Sequence, residues 1–246
     1  ELALVFFSIA ILIGSVFFRR ESFSAGRMAL IGVIVSAIVL WKYSFGTNTL
    51  FFGLLVQDQV VFLFRALILG ITAVVILLSM GDRNLNKEET GEYYFFLLVI
   101  AVSMMFAVSS NNLLMIYLTI EAISIVSYIM AAYLRREMIS SEAGVKYFLF
   151  GALSTGIMLY GISLVYGLFG TLDLALIFQP MAAAPVNQYA MFMALALVFV
   201  GFAFKCSLAP LHMWTPDVYE GAPTPVSALF SVGPKAVGFA LIFRVF

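Results

Sequence analysis

The fold class this sequence predicts is an all-α integral membrane protein, a polytopic helical bundle of about eight spans. Three observations predict it. Hydrophobic residues make up 63% of the 246 and charged residues only 11%, whereas a soluble domain is nearer half apolar and a quarter charged. Apolar stretches recur at the roughly 20-residue length that a helix needs to cross a bilayer. Short polar or charged stretches separate them. An apolar excess this large cannot be hidden in one core of such a chain, so its solvent is lipid.

Taken in order, the first span lies near 2–18 and is closed by Arg19-Arg20-Glu21. The second lies near 28–45 and the third near 59–80. The charged stretch GDRNLNKEETGE (81–92) separates the third from the fourth, near 93–110. Asn111-Asn112 makes a minimal turn into the fifth, near 113–134. RREMISSE leads into the sixth, near 143–168. The weaker segment 171–187 holds Asp173, Pro180 and Pro185 and reads as a surface loop. The seventh span starts near 189, and the eighth covers about 226–246. The chain thus divides into three N-terminal spans (1–92) and a five-span unit (93–246).

Composition also narrows function. Formal net charge is zero, which points away from a nucleic-acid partner. The single cysteine, Cys206, allows no internal disulfide framework and no thiolate metal cluster. Glu1 is not an initiator methionine, so the true start is expected upstream, and no basic region of the signal-peptide kind precedes the first apolar run. Lysine and arginine set orientation. The loop after the first span holds Arg19, Arg20 and Arg27, the loop after the third holds Arg83 and Lys87, and the loop after the fifth holds Arg135 and Arg136. Those after the fourth and sixth hold none. The N-terminus is therefore expected on the non-cytoplasmic side, with Lys42 and Arg65 as mild exceptions near that surface.

Several charges sit where lipid should exclude them. Glu121 is some ten residues from either end of NNLLMIYLTIEAISIVSYIMAAYL. Lys205 lies in MFMALALVFVGFAFKCSLAP, Lys235 in VSALFSVGPKAVGFALIFRVF, and Lys146 in the first turn or two of the sixth span. Each central charge costs about 2.5–3.5 kcal/mol on insertion scales and is kept where it faces protein or water. One reading is a structural ion pair tying helices together. Three lysines against one central carboxylate exceed what such a staple needs, and leave a lysine able to take up and release a proton. Tyr117, Glu121, Ser124 and Tyr128 share one helix face, as do Ser227, Ser231 and Lys235. These stripes can hold water between titratable groups, although a serine in a membrane helix also bonds back to the carbonyl four residues earlier.

FKCSLAPLHMWTPDVYEGAPTPVSALFSVGPK (204–235) combines two of these lysines with prolines and the single histidine, His212. Pro210 lacks an amide proton and crowds the carbonyl four residues back, so helical hydrogen bonding is expected to fail near Leu208–Leu211. Non-helical backbone at membrane depth is tolerated where it is buried in protein or lines a cavity. Lys205 therefore sits just before a break, with His212 within it, and Gly233-Pro234 suggests a second bend. Glu121 and Lys205 are expected to approach each other, directly or through one water, since pairing relieves the cost of both.

The same stretch resembles the signature of the antiporter-like membrane subunits of respiratory complex I (NADH-quinone oxidoreductase). Together with GEYYFFLLVIAVSMMFAVSSNNLLMIYLTIEAISIVSYIMAAYLRR and SSEAGVKYFLFGALSTGIMLYGISLVYGLFGTLDL, it most resembles the N-type subunit, over about 88–246. The resemblance implies a broken seventh span and two inverted five-helix repeats, of which this chain holds the first and lacks the second. It implies a fifth-helix glutamate (Glu121) paired with a seventh-helix lysine (Lys205), an eighth-helix lysine (Lys235) and a sixth-helix lysine (Lys146); His212 is a candidate from its place beside the break and Lys205. The implied activity is that of a non-redox subunit of a proton-translocating enzyme. NADH, FMN, iron–sulfur clusters and quinone would belong to partner subunits, in a bacterial inner membrane. No cofactor or metal site is expected here. The alternatives are a subunit of an Mrp-type Na+/H+ antiporter, a related photosynthetic or hydrogenase complex, or a purely structural membrane scaffold.

Overall fold

The structure, a computed structural model, describes residues 1–17, 25–43, 48–82, 85, 90–177 and 187–246. Arg19, Arg20, Arg83, Lys87, Pro180 and Pro185, which carry part of the loop and orientation reading, lie outside the described residues. The helices are α1 (Leu2–Phe17), α2 (Ala25–Tyr43), α3 (Gln59–Gly81), α4 (Thr90–Ser109), α5 (Leu113–Ala131), α6 (Met138–Phe169), α7 (Leu174–Ile177), α8 (Gln188–Lys205), α9 (Thr215–Gly221) and α10 (Thr224–Val245). Strands β1 (Asn48–Leu50) and β2 (Leu55–Gln57) lie between α2 and α3.

The chain is an integral membrane protein. Among the described residues seven helices, α2 to α6, α8 and α10, are long and apolar enough to cross a bilayer. The first expected span is shorter: α1 has 16 residues, about 24 Å at 1.5 Å per residue, against a hydrocarbon core of roughly 30 Å. α6 begins at Met138, earlier than the expected 143, and its 32 residues reach about 48 Å, so it overhangs the core. Outward-facing side chains are large and apolar, among them Leu63, Leu77, Leu153, Phe192 and Phe243. A lipid-solvated bundle requires this arrangement.

α4 is the most enclosed span and packs against α1, α2, α3, α5 and α10, with Leu97, Leu98, Ile100, Ala101 and Met104 fully buried. α6 packs on α5, α8 and α9. Gly161 sets the spacing of α6 and α8: a Cβ there would stand 2.7 Å from the Val198 nitrogen and 2.9 Å from the Ala194 oxygen, so only glycine lets the two backbones meet.

The β1–β2 pair is absent from the all-helical reading. It is antiparallel, with Asn48 opposite Gln57, and its tip runs through positive φ at Phe51, Phe52 and Gly53. The turn between α4 and α5 is gripped from both sides. Asn111 N–H donates to Leu54 O at 2.8 Å, Leu174 N–H to Asn111 O at 3.0 Å, and Leu113 N–H to Leu172 O at 2.9 Å. The connections after α2, α4 and α6 therefore meet at one end of the bundle, as alternating spans require. At the opposite end Arg135, after α5, lies 3.5 Å from Glu92 at the start of α4. Arg65, expected near a surface, is buried in α3, where Ser109 accepts from its Nη2 at 2.7 Å and Glu1 lies 2.6 Å away.

Candidate functional site

The seventh long helix of the pattern, α8, stops at Lys205, and the cause is local. Ser207 adopts a left-handed φ of 56°. Its N–H donates to Phe204 O at 3.1 Å, and the Leu208 N–H donates to Ala203 O at 2.9 Å. This pair of bonds is the Schellman closure, which satisfies the last carbonyls of a helix. The break therefore begins at Cys206, ahead of the Leu208–Leu211 stretch expected from Pro210. The Ala209–Pro210 peptide within it is cis. Three further prolines start helices: Pro216 stands in the first turn of α9, Pro223 caps α10 and Pro225 lies in its first turn, positions where a missing N–H is not needed. α10 runs through Pro234 without interruption.

Lys205 is 3% exposed. Its ammonium has no hydrogen-bond partner and lies 5.9 Å from the centre of the Tyr147 ring and 5.8 Å from that of Phe204. Those rings belong to a larger cluster. Trp214 stacks on Tyr147 at 4.4 Å and packs near Phe204 at 5.2 Å, while Phe230 of α10 meets Tyr147 edge-on at 5.5 Å. Tyr219 of α9 follows Trp214 at 6.3 Å, and Lys235 Nζ lies 5.4 Å from the Tyr219 ring centre. A continuous aromatic surface thus runs from one lysine to the other. Cation–ring attraction is worth roughly 0.5–2 kcal/mol, enough to seat an ammonium without fixing it as a salt bridge would.

The break itself touches Lys235. Cys206 Sγ donates weakly to the Lys235 carbonyl at 3.8 Å. A Cβ on Gly238 would stand 2.5 Å from that sulfur, so this glycine lets α10 approach. Four further polar atoms around the break are buried without a hydrogen-bond partner: Ser207 Oγ, Trp214 Nε1, Thr215 Oγ1 and Tyr219 Oη. With the Lys205 ammonium, these atoms place polar groups inside a packed core that includes Phe204, Trp214 and Phe230.

Glu121 is half-buried on α5. The direct pair with Lys205 is not formed: no ion pair within 4 Å joins them. Lys146 lies just over two turns into α6 and faces outward, away from its inward neighbour Tyr147. Its Nζ is 2.6 Å from Asp217 Oδ2 and 2.7 Å from Glu142 Oε1. These groups and Glu220 line an open cavity of about 220 Å3. His212 lies within the break and is exposed.

The serine stripes do not present free hydroxyls. Ser124 donates to Ile120 O at 2.6 Å and Ser231 to Ala228 O at 2.8 Å. Ser227 instead donates to Tyr219 O at 3.0 Å, tying α10 to α9. The aromatic surface is the part the sequence reading missed. Its signal was faint: Trp214, one of only two tryptophans, stands between a buried lysine and a proline instead of in an interfacial belt. Among the described residues no group of histidine, cysteine and carboxylate side chains could hold a metal ion.

Comparison with known proteins matches residues 110–246 to a family described as NADH:quinone oxidoreductase/Mrp antiporter, membrane region. The chain is 37% identical over 229 residues to NADH-quinone oxidoreductase subunit N 1 of Solibacter usitatus, covering 93% of this chain and 47% of that protein. It is 41% identical over 242 residues to NAD(P)H-quinone oxidoreductase subunit 2 of Rippkaea orientalis, covering 96% and 47%. A chain in the structure of respiratory complex I from Thermus thermophilus superposes with a TM-score of 0.83 at 32% identity, covering 99% of this chain and 52% of that one. The chain spans about half the length of the curated relatives it matches.

Proposed function

The chain belongs to the NADH:quinone oxidoreductase/Mrp antiporter membrane family, and from that premise we propose that it is a proton-translocating membrane subunit of an NADH-quinone oxidoreductase. It carries no electrons itself. NADH, FMN, iron–sulfur clusters and quinone belong to partner subunits, among them further antiporter-like subunits, in a bacterial inner membrane with the N-terminus on the non-cytoplasmic side. The relatives named above favour this reading over an Mrp-type exchanger.

One observation carries the proposal. Lys205 is buried without a hydrogen-bond partner at the C-terminal end of α8, where the helix gives way to the break. A nearby opposite charge favours the charged form of an ammonium, so the distance from Glu121 to Lys205 is the variable the relay uses. A change of one pKa unit corresponds to about 1.4 kcal/mol, so a small shift of Glu121 relative to Lys205 decides whether the lysine holds its proton. With Glu121 close, the ammonium is held. With Glu121 withdrawn or neutralised, the proton passes along the break toward Lys235. Lys146 joins the relay from the open cavity it shares with Asp217, and His212 joins it from within the break.

The test is Lys205→Met, which removes the titratable group at similar apolar length. NADH-driven acidification by reconstituted vesicles, normalised to assembled complex, is expected to fall several-fold, with quinone reduction falling alongside and assembly retained. Full pumping would return Lys205 to a structural role.

A further inference from the structure

Lys205 and Lys235 meet aromatic rings carried by different kinds of element. The rings beside Lys205 belong to Tyr147 of α6 and Phe204 of α8, two long helices packed on each other. The ring beside Lys235 belongs to Tyr219 of α9, the seven-residue helix between α8 and α10. The Lys235 ammonium stands over that ring, 5.4 Å from its centre, inside the roughly 6 Å over which a ring face attracts a cation. None of the ion pairs among the described residues involves Lys235. Three contacts hold Tyr219 in place. Its carbonyl accepts from Ser227 Oγ of α10 at 3.0 Å. Asp217, two residues earlier, lies 2.6 Å from Lys146 Nζ of α6. Two residues turn about 200° around a helix of 3.6 residues per turn, so the ion pair and the ring occupy opposite sides of α9. Gly221, two residues later, rests on α6, where a Cβ would stand 2.6 Å from the Ile139 oxygen.

We infer that Tyr219 is a positioning residue for Lys235, its ring face receiving the ammonium that forms when the proton arrives. The inference rests on the relay reading above. The proton leaves the Lys205 nitrogen and ends on the lone pair of the Lys235 nitrogen. The ring lends its negative face to the new cation and forms no bond to it. A carboxylate in the same place would hold the ammonium more firmly and oppose the next transfer, whereas a ring seats the cation and lets it go. Tyr147 and Phe204 offer Lys205 the same kind of surface, at 5.9 and 5.8 Å. The difference lies in what carries the ring. α9 is fastened to α6 through Asp217 and Gly221 and to α10 through Ser227, so a displacement of α9 moves the seat of Lys235 while that of Lys205 stays on its long helices. The Tyr219 hydroxyl is buried without a hydrogen-bond partner, and the contact with Lys235 is made by the ring.

The experiment uses the full-length protein in its complex, reconstituted in vesicles, and reads NADH-driven acidification normalised to assembled complex. Tyr219→Phe removes the hydroxyl and keeps the ring, and is expected to retain most of the pumping. Monofluoro-, difluoro- and trifluorophenylalanine are then introduced at the same position by nonsense suppression. Fluorine draws electron density from the ring face and barely changes its size, so a cation held by that face is held less well at each step. Pumping is expected to fall stepwise along the series, several-fold by its end, with assembly constant. A role in packing alone predicts no such gradation. Equal pumping across the series overturns the inference. So does loss of pumping in Tyr219→Phe, which would give the task to the hydroxyl. Lys235→Met tells this failure from that of the relay reading. Wild-type pumping by Lys235→Met overturns the relay through Lys235 and the seat with it, whereas an inactive Lys235→Met beside a flat fluorine series overturns the seat at Tyr219 alone.

Discussion

The indole of Trp214 lies flat on the ring of Tyr147, with centres 4.4 Å apart and planes 9° from parallel. One ring comes from the break after α8 and the other from α6. This contact holds the break against α6 beside Lys205, because Tyr147 is also a ring near the ammonium, and the break forms a wall there.

Removing that wall is expected to be costly. Trp214 is 2% exposed, and loss of a buried tryptophan to alanine typically costs about 3–5 kcal/mol. Trp214→Ala should lower the thermal unfolding midpoint in detergent markedly. Trp214→Phe, which keeps a ring over Tyr147, should lower it much less. Equal losses would show that a phenyl ring at position 214 does not replace the stacked indole.

The relay reading separates charge from proton transfer. Arginine stays protonated in proteins, so Lys205→Arg keeps the cation but cannot pass a proton, and vesicle acidification should drop as it does for Lys205→Met. Glu121→Gln removes the charge that holds the proton and should give the same phenotype. A Lys205→Arg complex that pumps at the wild-type rate would mean that position 205 needs only a positive charge.

The helix end at Ser207 can be tested by backbone preference alone. A left-handed conformation costs a non-glycine residue roughly 1–2 kcal/mol. Ser207→Gly is therefore expected to raise the unfolding midpoint slightly, and Ser207→Val to lower it. The opposite order would exclude the Schellman closure as the cause of the break.

Asp58 performs two tasks with two oxygens. Oδ1 accepts from Val61 N–H at 2.8 Å and caps α3, while Oδ2 accepts from Arg244 Nη2 of α10 at 2.9 Å. Asn at a helix start caps about as well as Asp, whereas Ala costs about 0.5–2 kcal/mol. Asp58→Asn should lose only the link to Arg244, and Asp58→Ala should be less stable than Asp58→Asn by about 1 kcal/mol in chemical unfolding in micelles. Identical stabilities would assign the whole effect to the ion pair.

The sequence by itself determined that this is a membrane bundle, the order of its long helices and which charges fall inside them. Those properties follow from one-dimensional facts: the length of an apolar run against the thickness of a bilayer, and the cost of a charge within it. It also placed a helix break near Pro210, because a missing amide proton acts on the residue's own turn. Tertiary structure alone decided the rest. That α8 ends at Lys205 depends on a left-handed serine, for which no residue type gives notice. That Lys205 rests among Tyr147, Phe204 and Trp214 instead of against Glu121 depends on how α6, α8 and the break pack. Residues 147, 205, 214 and 235 are joined by contacts whose partners lie far apart along the chain, and hydrophobic periodicity reports only which face of a helix is greasy, not which ring will lie beneath which ammonium. Lys146 and Tyr147 make the same point at closest range. They are neighbours in sequence, yet the turn of a helix sends one to an open acidic cavity and the other to the buried lysine.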